Sequence, residues 1–69
     1  MRSGTMIRVY FRDHHHEQSY LSFGTEEEAL ACVRRVRDRL VKVTTNDERG
    51  EEVEDEALRE RLVRAAEAG

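Results

Sequence analysis

Residues 6–24 read MIRVYFRDHHHEQSYLSFG, and the fold turns on how this stretch is read. On one side of the triple histidine, Ile7, Val9 and Phe11 alternate with Arg8, Tyr10 and Arg12. On the other side, Leu21 and Phe23 alternate with Tyr20 and Ser22. A period of two, apolar against polar, is the pattern of a half-buried strand. Facing residues of a strand pair share one side of the sheet, so Val9 is expected opposite Leu21 and Ile7 opposite Phe23. That register sets Phe11 against Ser19, Tyr10 against Tyr20 and Asp13 against Glu17. His14, His15 and His16 are left over, and they become the loop of a hairpin.

Downstream, the period changes. Ala29, Val33, Val36 and Leu40 recur at the spacing of one helical stripe. Thr25 is placed to cap that helix, and Glu28 three residues on completes a capping box. Glu26, Glu27 and Glu28 in the first turn, with Arg34, Arg35, Arg37 and Arg39 towards the end, complement the helix dipole. VKVTT (41–45) is a third strand with Val41 and Val43 inward. Asn46 to Gly50 form a turn in which Gly50 takes the left-handed position. Residues 51–53 can return as a short strand pairing Val53 with Val43.

A second helix starts near Asp55 with a narrow stripe of Leu58, Leu62, Ala65 and Ala66. Asp55–Arg59 and Glu60–Arg64 are spaced as i, i+4 ion pairs. Val63 lies off the stripe, which marks it for an intermolecular contact. The order is ββαββα, an α+β fold: a small antiparallel sheet with both helices packed on one face. Glu-Glu-Ala-Leu (27–30) and Asp-Glu-Ala-Leu (55–58) recur at the two helix starts, a weak echo of a duplicated unit.

Size and composition bound the function. The chain has 69 residues, and a domain this short buries only about 60% of its unfolded surface. Cys32 is the sole cysteine, so no disulfide compensates, and self-association as a homodimer is the expected staple. Residues 1–5 carry no pattern and are expected to be disordered, with residues 6–69 as one domain. No apolar run is long enough for a membrane helix, so no membrane partner is expected. A lone thiol without an export signal fits a cytoplasmic setting. Residues 1–42 carry eight basic groups against six acidic, a net of +2; residues 43–69 carry four against nine, a net of −5. An overall charge of −3 is not the footprint of a phosphate-backbone binder.

Four features could carry chemistry. His14, His15 and His16, flanked by Asp13 and Glu17, are metal-ligand types, but consecutive residues cannot converge on one ion unless the loop curls around it. An exposed polar hairpin tip is the plainer reading. Cys32 sits at the edge of the helical stripe, where a partly buried cysteine serves as a small hydrophobe. The arginines of the first helix are explained by its dipole. The sharpest surface is the sheet face away from the helices, which displays Arg8, Tyr10, Arg12, Gln18, Tyr20, Ser22, Lys42 and Thr44.

Rings between basic groups on an open sheet can stack single-stranded bases. They equally suit a protein contact, where buried aromatics and arginines dominate binding. No glycine-rich phosphate loop, catalytic triad order or zinc spacing is present. Two helices over so small a sheet leave little room for a pocket, and neither an enzyme nor a cofactor is expected. The sequence therefore points to a small interaction module that binds protein, itself included, through Arg8, Tyr10, Arg12, Tyr20 and Lys42. A nucleic-acid-binding module on the same face is the alternative, and a metal site at His14, His15 and His16 is the weaker one.

Overall fold

A computed structural model describes residues 6–68, so the expected disorder of residues 1–5 lies outside the described residues. Strand β1 (Ile7–Arg12) and strand β2 (Gln18–Phe23) form the first hairpin. Helix α1 (Glu26–Val36) follows, then a single 3-10 turn over Arg37–Arg39, strand β3 (Leu40–Asn46), strand β4 (Glu52–Glu54) and helix α2 (Glu56–Ala68). The fold is the expected ββαββα arrangement. Its four strands are all antiparallel in the order β2-β1-β3-β4, which places the first strand of each ββα half at the centre.

The first hairpin has the expected register, with Ile7 opposite Phe23, Val9 opposite Leu21 and Tyr10 opposite Tyr20. Its loop is held by Asp13. The Asp13 carbonyl accepts from the His16 amide at 3.0 Å, and its carboxylate accepts from the His15 and Glu17 amides at 2.8 and 3.0 Å. His16 closes the turn at φ 63°, the left-handed bulge position of a three-residue hairpin loop.

The second hairpin repeats this bond for bond. Asp47 accepts from the Gly50 amide on its carbonyl and from the Arg49 and Glu51 amides on its carboxylate, with Gly50 at φ 84°. Because the turn begins at Asp47 rather than Asn46, Val53 pairs with Thr45 and not with Val43. Val43 lies deeper, where its carbonyl accepts from the Asp55 amide at 2.9 Å.

Ile7, Val9 and Val43 from the sheet, Ala29, Cys32, Val33 and Val36 from α1, and Leu58, Leu62 and Ala66 from α2 make one core. Both helices therefore cover the same sheet face. Thr25 caps α1 by accepting from the Glu28 amide at 3.2 Å, and Asp55 caps α2 through the Leu58 amide at 3.0 Å. Five local expectations change. Leu40 is not in α1: the helix ends at Val36, and Leu40 opens β3 opposite Phe11. A bulge there, between Tyr10 and Phe11, leaves Val41 outside the core that Val43 joins. Asp55 caps a helix rather than pairing with Arg59. Among the described residues α2 has no Glu60–Arg64 bridge either; its ion pair runs from Arg61 to Glu26 of α1 at 2.8 Å. Val63 is half-buried and packs on the core instead of standing free.

Candidate functional site

The face opposite the helices is assembled by strand alternation. Every second residue of β1, β2 and β3 projects there, which brings Arg8, Tyr10, Tyr20, Lys42 and Thr44 together. Tyr10 and Tyr20 meet with ring centroids 5.1 Å apart, tilted by 41°. The Arg8 guanidinium lies 5.1 Å from the centre of the Tyr20 ring, and Lys42 Nζ lies 4.9 Å from that of Tyr10. Aromatic pairs and cations over ring faces attract through the ring quadrupole. Arg12 lies at the hairpin end and donates to the His16 carbonyl at 3.0 Å.

Glu52, to which the sequence assigned no role, is the centre of this surface. The outer phase of β4 projects it back over β3. There its carboxylate accepts from Arg8 at 2.9 Å, from the Thr44 hydroxyl at 2.7 Å and from the Tyr10 hydroxyl. Those donors hold Glu52 below the ordinary carboxylate range, the Tyr10 bond contributing most. The same bond pushes the Tyr10 phenol up. Thr44, expected on display, is only 2% exposed among these partners. Arg8 and Tyr10 are therefore tied side chains rather than free ones, while Tyr20 stays 50% exposed. The sequence did hold a signal for Glu52: in Glu52-Val53-Glu54 strand alternation sets both acids on the sheet face opposite to that of Val53.

The histidines remain exposed at the hairpin tip. Among the described residues, no three His, Cys, Asp or Glu side chains are placed to hold a metal ion. Asp13, one of the two flanking carboxylates, is occupied by the loop amides, which hold it below the ordinary carboxylate range, the Glu17 amide first.

On the helix side, a cleft of about 460 Å³ lies between α1 and the outer part of the first hairpin, more room than the sequence suggested. Phe11, Leu21 and Phe23 line it from the strands, and Cys32 and Val36 from the helix. His14 and Cys32 both border this cleft, a proximity that the sequence did not suggest. Cys32 is buried more fully than expected, and that burial pushes its thiol up, with nearby Arg35 pulling weakly the other way. A buried thiol held protonated is a poor nucleophile.

No helix among the described residues is long and apolar enough to cross a membrane. No family model matches the chain, and neither a curated protein nor a solved structure is significantly similar to it.

Proposed function

We propose that this chain is a small, non-enzymatic interaction module that binds protein, a second copy of itself first, through the open sheet face. One observation carries the reading: the face left uncovered by both helices is ordered in advance by the bonds that converge on Glu52. Side chains already held in place lose little freedom on binding, so less of the contact energy is spent on ordering them. Tyr20, half-exposed beside Tyr10, is the anchor. Charges on the face are mixed, with Arg8, Arg12 and Lys42 against Glu52 and Glu54. That favours a protein surface over a uniformly anionic one.

The nucleic-acid reading draws on the Tyr10–Tyr20 pair flanked by cations, yet a carboxylate at its centre repels phosphate. Sedimentation across a wide concentration range tests the proposal. A mass rising towards that of a dimer, reduced in Tyr20→Ser, is the expected result. A monomer at every concentration overturns it. Single-strand titration at two salt concentrations separates the alternative: tight binding that weakens steeply with salt would favour nucleic acid instead.

A further inference from the structure

The sheet has two open edges, and only one of them is defended. β4 spans three residues, Glu52-Val53-Glu54, two of them acidic. β2 spans six, Gln18-Ser19-Tyr20-Leu21-Ser22-Phe23, with no charge and no proline. Proteins blunt free edges with short strands, charges and prolines, because an open row of amides and carbonyls is a template for another strand. β2 carries none of these devices, and its Leu21 is 51% exposed.

The backbone direction on that edge follows from the turn. The Asp13 amide donates to the Glu17 carbonyl at 2.9 Å, so Asp13 and Glu17 are a hydrogen-bonded pair. Bonded pairs recur at every second position of an antiparallel ladder: Phe11 with Ser19, Val9 with Leu21, Ile7 with Phe23. The amides and carbonyls of Gln18, Tyr20 and Ser22 therefore point away from β1, into solvent.

We infer that β2 pairs antiparallel with β2 of a second copy about a two-fold axis at Tyr20, joining the two sheets into one. The inference rests on the reading that the chain binds itself, and it moves that contact to the margin of the open face. About this axis Tyr20 faces Tyr20 of the second copy and Gln18 faces Ser22, so every outward amide finds a carbonyl. On the open side, the Tyr10–Tyr20 row runs on into its symmetry mate. On the helix side, Leu21 meets Ser19 of the second copy and loses its exposure.

Self-complementarity is what selects a second copy as occupant. No residue pair in this register sets like charges together, whereas the same operation on β4 opposes Glu52 to Glu54 and repels. Two merged faces also give a larger platform for any further protein partner.

Amide exchange followed by NMR at low and high protein concentration is the test. The Tyr20 and Ser22 amides, open in the monomer, gain protection over the concentration range in which the mass doubles. Ser22→Pro removes one outward amide without breaking a bond to β1, and it leaves a folded monomer at concentrations where the parent is dimeric. Should that variant unfold, Ser19→Cys with Leu21→Cys in a Cys32→Ser background gives a second reading. Its new thiols face each other across the dimer as a non-bonded pair with Cβ atoms roughly 4.5–5.5 Å apart, close enough to approach disulfide geometry, and they form a reducible covalent dimer. A dimer whose Tyr20 and Ser22 amides exchange as in the monomer overturns the edge contact and leaves the face contact standing. Absence of any dimer removes both.

Discussion

In the first ββα half the turn runs Asp13-His14-His15-His16-Glu17; in the second it runs Asp47-Glu48-Arg49-Gly50-Glu51. Both aspartates accept the same three amides, and the third loop residue is left-handed in each, yet that residue is histidine in one half and glycine in the other. Beyond the turns the halves diverge. The first returns as six uncharged residues at an open edge, and the second as three residues with two acids. The helices diverge too: α1 buries only small side chains, whereas α2 is seated by Leu58 and Leu62. One architecture is thus built twice with different emphases, a bindable edge in one half and the bulkier core anchors with a charged hub in the other.

The largest expected effect breaks the comparison at the core. Leu58→Ala removes a buried side chain from α2 and costs about 2–5 kcal/mol in urea unfolding. Val33→Ala, its counterpart in α1, deletes less volume and costs less. Equal costs would mean that the two helices are anchored alike.

The turns come next. Asp13→Ala and Asp47→Ala each strand the same amides, so their unfolding midpoints fall by similar amounts, less than for Leu58→Ala. Asp13→Asn keeps an acceptor oxygen for those amides and retains most of the parent's stability. One alanine variant losing far more than the other would show that the turns are not equivalent in energy.

Exchange of the left-handed residues sharpens the point with opposite signs. Non-glycine residues pay about 1–2 kcal/mol in that conformation, part of which is returned by glycine's freedom in the unfolded chain. His16→Gly therefore stabilises by about 0.5–1 kcal/mol, and Gly50→His destabilises by a similar amount. Thermal midpoints of the two variants should move in opposite directions.

The smallest effect is electrostatic. Asp13 and Glu52 ionise more readily in the folded chain than in the unfolded one. Their stabilisation is full above the ordinary carboxylate range and is lost as the pH falls through their depressed folded values. Glu52→Gln removes its part of that acid sensitivity, and Asp13→Asn the other part. Denaturation curves at neutral and acid pH compare the slopes, and unchanged acid sensitivity in both variants would mean that other carboxylates carry it.

Much of the first half was legible in advance. Val9, Leu21, Ile7 and Phe23 must share one side of a sheet, so their register and the three-histidine loop follow from parity alone. The second half was less so. Placing Val53 opposite Thr45 required knowing that Asp47 accepts the turn amides, and a two-residue error there hides which strand position Glu52 faces. Leu40 sat in phase with the helical stripe and also with a strand, and only the end of α1 at Val36 separated them.

By itself the sequence determined the order of elements, the first hairpin's register and most of the inward residues of both helices, because apolar periodicity and capping are local properties of neighbouring positions. Tertiary structure alone decided that Glu52 gathers Arg8, Tyr10 and Thr44, that a cleft opens between α1 and the outer part of the first hairpin, and that β2 is left as the undefended edge. Those facts depend on which strands become neighbours. Strand order is settled by packing both helices over one core, and no short-range pattern in the chain encodes it.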